Sequence, residues 1–389
     1  MKIQHHLTLL VILCTFSSPA QETHPFSDKI MTIDETDFLP YTQGEIKTDY
    51  VISQNIDLNN PSIENAYKEN FKRIERIITQ WPTIQPPQGI EVFIKNFFNI
   101  HTPSTSKHAS KPSFTGRTEI WFSCYILDFE GKKYPHRMSA ASVDICQNSI
   151  DDLSGTPLIE DILLCPRKVA DFHGMPVYQT TRNEVTVMSK KGIPLFVPVS
   201  REEYLNACIR QAESALAKEK ENQEQAGSPR EFMDETYQEL LKIDPTTAAE
   251  FKKEMELAMP ELEAEPESIS KIMLASFRAE LEKMGLTERK SQAFYHMGAM
   301  EIYNNHSGLV PTNNKEDAEP LVKINPLLID YSRPNDLQLI TLRWNVGRSR
   351  DKPRLYNQGS KGYQLKDYRM FQLYNNPTIW KQISQLVVQ

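Results

Sequence analysis

The chain has 389 residues, of which 39% are hydrophobic, and a formal net charge of −7. This length is enough for two or three modest domains, each with a core of its own. The mildly acidic balance excludes a generally basic nucleic-acid-binding protein, and 25 prolines against 14 glycines indicate ordered, extended connections rather than flexible linkers.

The first 21 residues have the pattern of a secretory signal peptide. Lys2 supplies a positive charge, residues 7–16 form an apolar run, and Pro19 and Ala20 lead to a cleavage point. The run is too short to span a bilayer, and no later stretch approaches about 20 apolar residues. We therefore expect an exported protein, periplasmic or secreted, with no transmembrane segment in the mature chain.

The next part of the chain combines one helix with a series of strands. Residues 22–59 form a mostly irregular leader with a short strand near 49–52. Asn60 and Pro61 have the residue types of a helix cap and first turn, and apolar residues recur at helical spacing up to Trp81. Strands are predicted at 90–100, 118–127, 133–146, 168–181 and 184–188, with a polar loop over 102–116. Strands that follow one another in this way, instead of alternating with helices, indicate an α+β fold with an antiparallel β-meander.

Residues 183–225 are the most regular stretch of the sequence. Two short β-type runs flank a turn that ends in Gly192, which predicts a hairpin. Ser200 and Glu203 then form a capping-box pattern at the start of a long helix. The α+β domain is predicted to end with this helix, at residue 225.

The remaining sequence divides into a helical part and a β-containing part. Residues 226–292 are predicted to form an acidic helical segment, whose helices are separated by prolines at 245 and 260. Self-association through this segment is one hypothesis. Residues 293–389 are predicted to contain strands at 321–324 and 336–344 and a closing helix at 380–388.

Four cysteines remain outside the predicted signal peptide: Cys124, Cys146, Cys165 and Cys208. In an exported protein an even number permits two disulfides. Cysteine is also readily buried as a free thiol, so both interpretations stay open. The spacings do not match a zinc knuckle, and the sequence predicts no metal site.

A basic segment that also contains tyrosines lies near the C-terminus and is the candidate for binding an anion or a partner. Eight residues are assigned to this site: Arg343, Arg348, Arg350, Lys352, Arg354, Tyr356, Lys361 and Tyr363. In an exported protein such a segment suits an acidic glycan or an acidic protein surface. A solvated charged loop is the simpler interpretation.

Catalytic signals are weak. No phosphate-binding glycine loop, dinucleotide fingerprint, zinc helix or nucleophile elbow is present, and no cofactor is predicted. His136, His173 and His296 have no ligand-like spacing, although they could converge with carboxylates such as Glu119 or Asp171. The sequence therefore favours a non-enzymatic binding or scaffold protein of the cell envelope or extracellular space. The alternative is a hydrolase of envelope or extracellular polymers that uses a carboxylate/His site.

Overall fold

The computed structural model describes residues 39, 41–52, 60–82, 84–101, 113–127, 130–136, 141–181, 183–226, 229–263, 268–302, 305–311, 318–345 and 362–387. The predicted signal peptide and most of the predicted leader lie outside these ranges.

Strands and helices both contribute large parts of the described chain. The strands are β1 (Ile46–Ile52), β2 (Ile90–His101), β3 (Ser113–Leu127), β4 (Lys133–Pro135), β5 (Ala141–Gln147), β6 (Pro157–Ile159), β7 (Ile162–Leu164), β8 (Arg167–Phe172), β9 (Met175–Gln179), β10 (Glu184–Ser189), β11 (Phe196–Pro198), β12 (Phe294–Tyr295), β13 (Glu319–Ile324) and β14 (Leu339–Asn345). The helices are α1 (Pro61–Thr79), α2 (Arg201–Ala226), α3 (Pro229–Ile243), α4 (Pro245–Glu263), α5 (Ile269–Lys283), α6 (Leu286–Arg289), α7 (Ala299–Ile302), α8 (Gly362–Tyr374) and α9 (Pro377–Ser384).

The strands form two sheets. The large sheet has the order β1-β2-β3-β5-β14-β10-β9-β8, with β4 paired to β3, and the small sheet has the order β11-β13-β7-β6, with β12 paired to β13. Only the β1–β2 pair is parallel among these described pairs. The predicted α+β fold class is confirmed. Because β14 lies between β5 and β10, the last part of the chain completes a sheet that the first part begins.

The main core lies between the large sheet and helices α1, α8 and α9. It contains Ile74 and Ile78 from α1, Leu373 from α8 and Trp380 from α9, all fully buried against strand residues. The predicted cap of α1 is confirmed, since Asn60 Oδ1 accepts a hydrogen bond from the Ile63 backbone N–H at 3.3 Å. Among the described helices, none combines the length and the apolar character needed to cross a membrane.

A second core joins α2 and α5 to the small sheet, and a third joins the two sheets. The second contains Leu205 and Phe277. The third contains Val187 and Leu339 of the large sheet together with Leu195 and Leu328 from segments next to the small sheet. The two sheets are therefore held together by apolar packing.

The hairpin predicted between residues 184 and 199 is wrong, although its turn and the following cap are correct. Gly192 has the expected positive φ of 83°, and Ser200 Oγ accepts from the Glu203 backbone N–H at 3.1 Å. However, β10 belongs to the large sheet, and β11 pairs with β13 of the small sheet. Leu195, between the two strands, is buried in the third core. The run after the turn therefore gains more burial by crossing to the second sheet than by returning beside β10.

Other predicted boundaries also differ from the structure. Residues 168–181 form two antiparallel strands, β8 and β9, because His173 and Gly174 both adopt positive φ in a tight turn. β3 begins at Ser113, inside the predicted polar loop, because pairing with β2 extends to His101. α4 continues through Pro260, which was predicted to end it.

Candidate functional site

A cleft of about 950 Å³ opens where the two sheets meet. Its floor is apolar and consists of Ile150, which follows β5, Val197 of β11, Ile324 of β13 and Ile329. Ile150, Ile324 and Ile329 also pack in the core between the sheets, so the cleft is built on a rigid base. This volume lies in the range of small-molecule sites in proteins.

One wall of the cleft is the connection from β13 to β14. Asn325 fixes its start: its side-chain nitrogen donates to the Pro194 carbonyl at 2.8 Å, and its oxygen accepts from the Leu327 backbone N–H at 3.0 Å. Leu328 is buried between the sheets. These contacts place Tyr331 at the cleft, where the residue is 37% exposed, partial burial raises the pKa of its hydroxyl, and the phenol can donate a hydrogen bond.

A second part of the cleft lining is the two-residue turn between β6 and β7, Glu160 and Asp161. Glu160 has a φ of 50°, a left-handed conformation that favours Gly or Asn. Its carboxylate accepts from the Nε and Nη2 atoms of Arg210 on α2, at 2.9 and 2.7 Å. This paired hydrogen bond lowers the pKa of Glu160. The turn is therefore tied to α2 by an ion pair.

Lys323 of β13 connects this turn to α2 a second time. Its ammonium group lies 3.0 Å from Asp161 Oδ1 and 2.8 Å from Glu203 Oε1. Burial opposes the positive charge, but the hydrogen bonds to the two carboxylates outweigh it and raise the pKa of Lys323. Lys323 is therefore a stably charged bridge at the edge of the cleft.

These protonation states do not suit acid–base catalysis. A catalytic carboxylic acid needs a raised pKa, and a catalytic lysine base or nucleophile needs a lowered one. In the cleft the pKa of Glu160 is lowered and the pKa of Lys323 is raised. Among the described carboxyl groups, the pKa is raised at Glu75 of α1 and Glu280 of α5, and neither residue lines the cleft.

None of the cleft residues was selected from the sequence. Two signals could have found part of the site. Glu160 and Asp161 separate two apolar pairs, which is the pattern of a tight hairpin, and Lys323 is a charged residue between the apolar residues Val322 and Ile324. Their meeting with Ile150 and Tyr331 depends on the order of strands in both sheets, which no local pattern encodes.

The predicted basic site lies mostly outside the described residues. Arg348, Arg350, Lys352, Arg354, Tyr356 and Lys361 fall there, and Tyr363 lies in the first turn of α8. Arg343 is on β14, where its guanidinium contacts Asp144 at 2.9 Å and Asp152 at 3.1 Å. An anion at Arg343 would have to compete with two carboxylates, so anion binding by this segment stays a prediction for its other members.

Of the two interpretations left open for the four cysteines, the structure shows free thiols: Cys124, Cys146 and Cys208 are buried, and Cys165 is partly buried. Cys124 packs in the main core and Cys208 in the core of α2 and α5, so the fold separates them. Burial raises the pKa of Cys146 and Cys165, and it raises that of Cys208 to about 11. Such thiols are poor nucleophiles at neutral pH.

The three histidines do not converge. His136 lies near Lys366 of α8, and His173 contacts the Tyr374 carbonyl oxygen at 2.9 Å. These two α8 positions are roughly 12 Å apart along the helix. His296 lies beside β12 in the other sheet. Within the described ranges, no group of three or more His, Cys, Asp or Glu residues is arranged to hold a metal ion.

Comparisons with protein-family models, with curated proteins and with solved structures found no match to this chain.

Proposed function

We propose that this chain is an exported, non-enzymatic binding protein, and that its cleft takes a ligand with an apolar part and a cationic group. The observation that carries the proposal is an apolar floor beside carboxylates that are already ion-paired. Apolar burial supplies affinity in such a site, and the charged wall selects among ligands. The pKa of Glu160 is lowered and that of Lys323 is raised, the opposite of what a catalytic carboxylic acid and a reactive lysine require.

The preference for a cation follows from the charge of the wall. Glu160, Asp161 and Glu203 carry three negative charges, and Arg210 and Lys323 carry two positive charges, so the network has a net charge of −1. The side chain of Asp161 is 52% exposed and shares Lys323 with Glu203. Its carboxylate can therefore accept a further hydrogen bond from a ligand amine.

Isothermal titration with alkyl probes tests this proposal. We expect octylammonium to bind the full chain more tightly than octanoate at 50 mM salt. Shortening the probe to hexylammonium removes two CH₂ groups, about 1.6 kcal/mol, and should weaken binding roughly fifteen-fold. Equal affinity for the cationic and anionic probes would contradict the charge argument, and an absence of chain-length dependence would contradict the apolar floor.

The variant Asp161→Asn tests whether octylammonium binds at the cleft. Removing one nearby charge should weaken octylammonium by about 1 kcal/mol, roughly five-fold, with a smaller effect at high salt. Asp171→Asn is the matched control, because Asp171 is 58% exposed, pairs with a lysine and lies outside the cleft. An equal loss in both variants would show that only the overall charge matters.

Export is the second part of the proposal and is supported by the signal-peptide pattern in residues 1–21. A fusion of residues 1–25 to a reporter that is active only after export should be active. A silent reporter would contradict export and would leave the cleft argument unaffected.

The predicted protein or acidic-glycan partner would use a different part of the chain, the basic segment after β14. Replacing Arg348, Arg350 and Arg354 together should weaken binding to an acidic polysaccharide such as heparin and reduce its salt dependence. Unchanged binding would remove this segment from consideration.

A further inference from the structure

Helices α3 and α4 form a hairpin, and none of its described side chains contributes to a core. Asp244 joins them: its carboxylate accepts from the backbone N–H groups of Thr246 and Thr247 at 2.9 and 3.4 Å and caps α4. The described side chains of α3 and α4 are absent from the four apolar clusters of the protein. The two helices pack on each other.

The apolar seam of this hairpin is only partly closed. Ala248 and Met255 of α4 are buried, but Tyr237, Leu240 and Phe251 remain half-buried and Leu241 is exposed. Tyr237, Leu240 and Leu241 follow the three- and four-residue spacing of one face of α3. Two helices alone cannot enclose such a stripe, and a third helix laid along the seam would complete a small bundle.

Charge selects the kind of helix that fits. From residue 233 to 257 the hairpin carries seven acidic and three basic residues, a net charge of −4. A second copy of the same hairpin would bring two such surfaces together, which opposes association. A helix with an apolar face and basic flanks would be attracted by both the seam and the charge.

We propose that the α3–α4 hairpin is a docking site for a basic amphipathic helix of a protein partner. None of the residues lining the cleft belongs to α3 or α4, so this surface is independent of the cleft. Leu241 lies at the open edge of the seam, where a docked helix would cover it. The seven acidic residues between 233 and 257 are all exposed and can pair with lysines or arginines of that helix.

Two synthetic 18-residue helical peptides test the proposal on the full chain by fluorescence anisotropy. Both have the same leucine face, and the remaining positions are lysine in one and glutamate in the other. We expect the Leu/Lys peptide to bind at least ten-fold more tightly than the Leu/Glu peptide at 50 mM salt, and less tightly at 300 mM salt. Equal binding of the two peptides would overturn the proposal.

Leu241→Lys should lower the affinity for the Leu/Lys peptide at least ten-fold, because the new lysine places a positive charge at the edge of the seam. Lysine is a good helix former, and circular dichroism checks that the helix content is unchanged. Leu286→Lys is the matched control, since Leu286 is a helical residue outside the hairpin, is 75% exposed, and adds the same charge. It should change the affinity by less than two-fold. Equal losses of peptide affinity in both variants would indicate attraction by net charge alone. A dimer of the wild type that Leu241→Lys dissociates would assign the seam to a second copy. Either result overturns the proposal.

Discussion

Replacement of Lys323 by Met tests whether the ion pairs at the edge of the cleft stabilise the fold. Lys323 is 24% exposed and makes two charge-assisted contacts, to Asp161 and Glu203, which are themselves 52% and 43% exposed. Pairs this accessible contribute about 0.5–1 kcal/mol each after screening by solvent, so both together contribute about 1–2 kcal/mol. Met fills a similar volume, and the variant therefore isolates the loss of charge.

The expected result is a free energy of unfolding about 1–2 kcal/mol lower than that of the wild type, measured by urea denaturation in 50 mM salt. For a chain of this size the loss corresponds to roughly 2 °C in Tm. The loss should shrink in 1 M salt. Because the folded-state pKa of Lys323 is raised above the ordinary 10.5, its contribution is fully present below that value and is lost as pH rises through the folded-state pKa.

A double-mutant cycle that combines Lys323→Met with Asp161→Asn isolates the interaction between these two side chains. We expect a coupling free energy of about 0.5–1 kcal/mol. The reasoning is refuted if Lys323→Met is as stable as the wild type, or if NMR titration places the pKa of Lys323 below 10.5. A lowered pKa is the property of a reactive amine and would favour the hydrolase alternative.

Three further variants test the fold. Gly116→Ala places a Cβ 2.9–3.0 Å from two aromatic rings of α1 and should cost about 1–3 kcal/mol in urea denaturation, whereas Gly285→Ala, with open space around it, should change stability little. Asn148 has a φ of 53°, and its buried side chain hydrogen-bonds three backbone groups near β14. Asn148→Ala should therefore lower the free energy of unfolding by about 3–4 kcal/mol. A loss below 1 kcal/mol would contradict a stabilising role of these hydrogen bonds. Glu75→Gln should raise Tm at pH 7. Burial raises the folded-state pKa of Glu75 above 4.5, so the wild type loses stability as pH rises through that pKa; the gain of the variant should disappear near pH 4.

Elements whose limits are set by neighbouring residues could be predicted from the sequence. Asn60 before Pro61 indicates the start of α1. Ser268 stands directly before an apolar stripe, and it is the N-cap of α5. The alternating residues of 336–344 include all of β14 except its last residue, Asn345. In each case the cap or the apolar period lies within the element itself, and the fold class follows from the order of these elements.

Pairings between distant segments could not be predicted in the same way. The pattern around Gly192 is equally compatible with a hairpin and with a crossing between sheets, and the choice depends on β13, more than 100 residues later. The cleft requires residues from 150, 160–161, 197 and 323–331 to meet at the junction of two sheets. Their types are individually ordinary, so only the tertiary arrangement makes them a site.

A crystal structure of the full chain with octylammonium tests the proposed binding site most directly. We expect the alkyl chain to lie on Ile150, Ile324 and Ile329 and the ammonium group to be within hydrogen-bond distance of Asp161. Binding at another surface, or an ammonium group placed away from the carboxylates, would contradict the assignment of the cleft as the binding site.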